Sequence, residues 1–161
     1  MDKMVISLNG WAAGERQFRF HAGLEFFQSF DNSEILDADV NVEVRVIKEG
    51  VRKVKADLHL GGTVTVPCTR CLEPLQLPVE AGEILDAEQE EGLLSADGEL
   101  DLRQAVYDYT CLALPLQRVH PLEACNPDTI RFLGQQEREN EEAEALANSP
   151  FAALKGLFNG K

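Results

Sequence analysis

Between Val40 and Leu60 the chain carries a pattern that few architectures can accommodate. Val40, Val42, Val44 and Val46 alternate with polar residues, and Val54, Ala56, Leu58 and Leu60 repeat the alternation after a short interruption. A period of two sends successive side chains to opposite faces of an extended strand, so each run buries one face and wets the other. The interruption contains Glu49–Gly50, and two such runs joined by a short glycine-containing segment make a β-hairpin. A three-residue loop of Glu49, Gly50 and Val51 brings both apolar rows to one face, with Val46 opposite Val54 and Gly50 at positive φ. That register sets Arg45 opposite Lys55 and Glu43 opposite Asp57. These like-charge pairs are mildly unfavourable, while the diagonals Glu43–Lys55 and Arg45–Asp57 favour the pairing.

The remaining elements are shorter. Residues 3–8 (KMVISL) and 16–21 (RQFRFH) read as strands, and Leu24, Phe27 and Phe30 mark one face of a short helical segment. Gly61–Gly62 reads as a turn. Pro74 and Pro78 confine PLQLPVEAGEIL to a loop or a sheet edge. In LDLRQAVYDYTCLALP, Asp101 is placed as a helix N-cap with Gln104 three residues on, and Leu100 and Ala105 as a hydrophobic staple. Leu102, Ala105, Val106, Tyr109, Leu112 and Ala113 form its apolar stripe, and Pro115 ends it. A loop, LQRVHPLEACNP, leads to a short helix around Ile130–Leu133. Residues 135–147 are acidic and polar, a linker or a solvated helix. Ser149 and Pro150 then open an amphipathic segment with Phe151, Leu154, Leu157 and Phe158 on one side. The expected architecture is α+β and mainly antiparallel β. It has a small sheet or barrel body with one capped helix and a Cys/His loop over 1–134, an acidic linker over 135–148, and a short C-terminal helix over 149–161.

At 161 residues and 44 % hydrophobic content, one domain can bury a core without metals or disulfides. No run of about 18 apolar residues is present to cross a membrane, and MDKMVISLNGW lacks the apolar region of a signal peptide. A reducing cytoplasm is therefore the expected setting of the four cysteines. The net charge of −13 is unevenly spread: residues 80–101 hold nine acids and no base. Such a chain repels phosphate backbones at long range and favours basic protein partners. The acidic stretch also reads as a plain solvated face. Arg45, Lys48, Arg52, Lys53 and Lys55 gather at the hairpin tip as the only basic cluster, either a solvated edge or an RNA contact to which Arg70 could add.

Cys68 and Cys71 form a C-x-x-C. A redox pair needs its first cysteine exposed at a helix N-terminus, whereas Pro74 and the flanking strands prevent a helix here. A zinc site needs two further ligands. His120 and Cys125, held in one loop stiffened by Pro115 and Pro121, supply them, and Cys68, Cys71, His120 and Cys125 make a tetrahedral S₃N set. Packed cysteines without metal are the alternative. Four protein ligands would make the site structural, stapling the sheet to the loop after the helix. Cys111 has no ligand neighbour at helical spacing and reads as a bystander. His59 reads as an outward strand residue. The sequence has no phosphate-cradling glycine loop, nucleophile elbow or H-E-x-x-H, so an enzyme is not expected.

Four motifs occur in order: V-x-C-x-R-C-L-E-P (Val66 to Pro74), D-L leading to L-A-L-P (Asp101, Leu102; Leu112 to Pro115), V-H-x-x-x-x-C (Val119 to Cys125), and N-x-P-F-A-x-L (Asn148 to Leu154). Together they run from Val66 to Leu154, and over nearly its whole length the chain resembles the YceD-like large ribosomal RNA subunit accumulation proteins. The resemblance implies a non-enzymatic, cytoplasmic factor of bacteria and plastids that supports accumulation of 23S rRNA. Its partners would be ribosomal proteins or the pre-ribosomal large subunit, with rRNA itself a further partner and no membrane. The two cysteines and the later His/Cys pair coincide with family positions, which favours zinc. Members with a longer cysteine-rich loop carry more thiols than this chain. Direct rRNA binding through the basic hairpin and zinc- or thiol-based regulation are the rival expectations.

Overall fold

The computed structural model describes residues 4–147. The amphipathic segment expected over 149–161 lies outside them. Within that range the chain forms two compact units, residues 4–68 with 74–118 and residues 69–73 with 119–147.

In the first unit the alternating runs become β3 (Asp37–Lys48) and β4 (Val54–Pro67), flanked by β2 (Gly14–Gly23) and β5 (Pro74–Asp86). They form an open antiparallel sheet in the order β2-β3-β4-β5. The α+β, mainly antiparallel expectation therefore holds, and the sheet does not close into a barrel. Pro74 and Pro78 stand on the edge strand β5, where a missing N–H breaks no interior ladder. β1 (Val5–Ser7) pairs with β6 (Glu99–Asp101), joining distant parts of the unit that no local pattern connects. All eight apolar residues of the two runs are buried, and Met4, Ile6, Leu100, Leu102 and Val106 are among the residues that share their core. Each fully buried Val or Leu contributes about 1.5–3 kcal/mol relative to exposure.

The hairpin register differs from the expected one by two residues. Val46 lies opposite Ala56, Lys48 opposite Val54 and Arg45 opposite Asp57. A shift of two keeps the same face buried and replaces a like-charge opposition by an ion pair, with Arg45 Nη2 2.7 Å from Asp57 Oδ2. The loop therefore spans Glu49 to Lys53, closed by Glu49 N donating to Lys53 O at 2.9 Å. Gly50 is not among the positive-φ residues, since this longer loop needs no left-handed position there. Nor do Gly61 and Gly62 make a turn, because β4 runs through both. A Cβ at Gly62 would lie 2.0 Å from the Asp39 carbonyl oxygen, so this glycine marks a close approach of β3 and β4.

Leu24, Phe27 and Phe30 do belong to one short helical region, α1 (Leu24–Gln28) and the residues after it. Phe27 is fully buried, and Phe30 stacks on Tyr107 at 4.3 Å. The helix α2 (Arg103–Ala113) is capped at Leu102 rather than Asp101. Asp101 is the last residue of β6, paired with Val5, so one more residue is needed to turn from strand to helix. Asp101 Oδ1 still accepts Arg103 N at 3.0 Å, while Gln104 reaches forward to Asp108 at 2.9 Å instead of back to a capping box. Leu102, Val106 and Thr110 form the buried row, with Thr110 Oγ1 donating to Val106 O at 2.7 Å. Leu112 is 76 % exposed. At about 100° per residue it lies about 120° around the helix from Val106. Leu114 is extended ahead of Pro115, which stops the helix.

The second unit holds the loop 69–73 and α3 (Pro127–Ala147). The short helix expected around Ile130 is the start of this 21-residue helix, and the acidic segment 135–147 continues it. Asn126 supplies the start signal: its Oδ1 accepts Asp128 N at 3.0 Å, with Pro127 in the first turn.

Candidate metal centre

Pro67 pairs with Pro74, so residues 68–73 are the connection between β4 and β5. Thr69, Arg70 and Cys71 turn the chain, and Leu72 then adopts φ 62°. The left-handed conformation costs a non-glycine residue about 1–2 kcal/mol. Here it reverses the chain immediately after the second cysteine, and the Leu72 side chain remains 75 % exposed.

His120 and Cys125 are brought together by a second turn. The Pro121 carbonyl accepts Ala124 N at 2.8 Å and Cys125 N at 3.2 Å, which folds the H-x₄-C spacing into a chelating loop. Cys71 Sγ lies 3.4 Å from His120 Nδ1. The ligand atoms of Cys68, Cys71, His120 and Cys125 all lie within 4.8 Å of one another. A tetrahedral zinc with bonds of about 2.0–2.3 Å has ligand–ligand edges of about 3.3–3.8 Å, so modest contraction would complete the shell. The three cysteines are buried and His120 is half-buried. Three thiols and an imidazole suit a borderline-soft ion, and four protein donors leave no position for a reacting water.

Arg70, grouped from sequence with the candidate RNA-contacting cations, points its Nη1 at Cys125 Sγ, 3.9 Å away. Asn126 ties α3 to the same loop through Nδ2 donating to Glu73 Oε1 at 3.3 Å. Neither contact has a sequence signature beyond the two residues lying near cysteines. Cys111 lies outside the cluster, on α2; burial pushes its thiol pKa up, with a Tyr107 hydrogen bond opposing.

The five hairpin cations occupy different settings. Arg45 is held by Asp57 and, at 3.7 Å, by Glu15. Lys48 Nζ donates to the carbonyls of Leu8 and Trp11 at 3.2 and 3.0 Å. Arg52 is exposed and lines a groove with Glu88, Glu90 and Glu91. Lys53 and Lys55 are exposed on the strand and turn. His59 faces outward beside Asp57, its Nε2 3.1 Å from Oδ1.

These features define an α+β protein with a largely buried Cys₃His group whose donor atoms lie close enough to hold a metal ion. Among the described residues no helix is long and apolar enough to cross a membrane. The chain belongs to the family described as large ribosomal RNA subunit accumulation protein YceD, whose family model matches residues 56–158. The matched stretch contains all four metal-type donors, whereas the hairpin cations from Arg45 to Lys55 precede it. No curated protein and no solved structure matches the chain significantly.

Proposed function

We propose that this protein is a non-enzymatic cytoplasmic factor supporting accumulation of 23S rRNA. It does so by holding basic ribosomal proteins or pre-ribosomal particles against its acidic surface. Family membership supplies the process. The observation that favours protein contact is the disposition of charge: Glu80, Glu83, Glu88, Glu90 and Glu91 are all exposed, while Arg45 and Lys48 are already engaged. Direct rRNA binding would have to rest on Arg52, Lys53 and Lys55 against a net charge of −13.

The Cys68, Cys71, His120 and Cys125 group holds a structural zinc ion in this reading, supported by the convergence of its donors. Bound zinc would supply cross-linking, with no substrate position. Pull-down from lysate at low and high salt, with and without RNase, tests the partner class. Ribosomal proteins should be recovered after RNase treatment and released steeply by salt. RNase-abolished or salt-insensitive recovery refutes protein contact through the acidic surface.

A further inference from the structure

We infer that Arg70 belongs to the metal centre as an outer cation, a positioning residue that directs its guanidinium at the Cys125 sulfur; this rests on the zinc reading above. The argument begins with charge. Three thiolates around one divalent zinc leave a net negative charge, and burying it is costly unless cations or hydrogen bonds compensate. Cys68, Cys71 and Cys125 are 0 %, 7 % and 4 % exposed, so solvent compensates little. The flanking Glu73 and Glu123 add further negative charge in the sequence around the two loops.

Arg70 answers that requirement from inside the C-x-x-C. It sits immediately before Cys71, is itself half-buried, and directs Nη1 to the sulfur of the ligand that comes from the other loop, 3.9 Å away. An N–H···S contact from a guanidinium places positive charge beside the sulfur and orients it in the loop. Arginine suits the position better than lysine, because the guanidinium is planar, directional and less strongly hydrated. A phosphate-contacting role would instead need the guanidinium turned out to solvent.

The test compares the full-length protein with Arg70→Gln and Arg70→Lys, using Co²⁺ as the spectroscopic probe and Zn²⁺ by competition with a chromophoric chelator. Arg70→Gln should lose about 10–100-fold in metal affinity, and Arg70→Lys should lose less. The thiolate-to-cobalt charge-transfer band should move to lower energy in Arg70→Gln, because the sulfur loses a hydrogen bond, while the d–d bands keep their tetrahedral form. Wild-type affinity in Arg70→Gln, with a tetrahedral spectrum, overturns the role of Arg70 alone. Equal losses in both variants with an unmoved charge-transfer band also overturn it, since a residue that only shapes the loop gives that result. A wild-type protein that binds neither ion refutes the zinc reading and this inference with it.

Discussion

Two adjacent glycines in β4 should respond to alanine in opposite directions. A Cβ at Gly62 would meet Asp39 O at 2.0 Å, Val40 Cα at 2.8 Å and Asp39 C at 2.9 Å, all of them backbone atoms. No side-chain rotation relieves such contacts, so β3 and β4 must part by more than an ångström. Gly62 lies opposite Val40 in the middle of the sheet. Parting the strands there weakens two or three ladder hydrogen bonds at about 0.5–1.5 kcal/mol each. It also disturbs Val40 and Val64, both fully buried, and overpacking of that kind costs about 1–3 kcal/mol. Together, Gly62→Ala should destabilise by roughly 3–5 kcal/mol. For a chain of this size that is a fall in Tm of roughly 6–20 °C. At Gly61 nothing lies within 4 Å of the built Cβ. Replacing glycine in a strand interior gains about 0.5–1 kcal/mol of backbone entropy, so Gly61→Ala should be neutral or slightly stabilising. Urea titration and calorimetry of the two variants decide the matter. A Gly62→Ala protein within about 1 kcal/mol of the parent would mean that β3 and β4 are not in the register described.

Metal analysis of protein purified without added zinc should give one zinc per chain, and Cys71→Ser or Cys125→Ser should abolish it; retention of metal by both variants would place the site elsewhere. At Leu72 glycine should outperform alanine by about 0.5 kcal/mol or more in denaturant titration, because relief of the left-handed conformation exceeds the entropy that glycine adds to the unfolded chain; the reverse order would deny the positive φ. The Asp101 carboxyl is held below its usual range, chiefly by the hydrogen bond from the Arg103 side chain, with burial opposing. Its contribution to stability is therefore complete above the unfolded value of about 3.9 and lost as pH falls through the lower native value. Asp101→Asn should flatten the stability profile below about pH 4, and an unchanged slope there would contradict the pairing.

What was legible in the sequence followed from periodicity and residue chemistry. The valine alternation specified β3, β4 and the buried face, because burial acts on every second residue whichever neighbour it pairs with. It did not specify the register, since a slip of two preserves that face and only the Arg45–Asp57 opposition separates the two alternatives. The four metal-type donors were legible by residue type and by the prolines around them. Their convergence depends on two turns, one through Thr69, Arg70 and Cys71 ahead of the left-handed Leu72, the other closed by the Pro121 carbonyl. Neither leaves a mark in composition. The pairing of β1 with β6 was equally invisible, because both strands are three residues long and far apart in the chain. The displaced cap of α2 follows from that pairing.

The formal charge of −13 is unevenly distributed toward a partner, because pairing leaves the unmatched acids concentrated in one stretch. Fifteen basic residues stand against 28 acids, yet many of the bases are occupied. Arg19 pairs with Glu43, Arg45 with Asp57, Arg103 with Asp101 and Arg118 with Glu34. Lys48 is bound to two carbonyls, Arg16 lies 4.2 Å from the centroid of the Trp11 ring, and Arg70 reaches Cys125. The acids from Glu80 to Glu91 sit on an edge strand and the loop after it, and the one base lining their groove is Arg52. Among the described residues a phosphate backbone meets Arg52, Lys53 and Lys55 as exposed cations, beside the exposed acids from Glu80 to Glu91. A basic protein segment is attracted by the same acids, and its association should be fast and strongly salt-dependent. That field favours the proposed reading, in which the acidic stretch meets a basic protein segment.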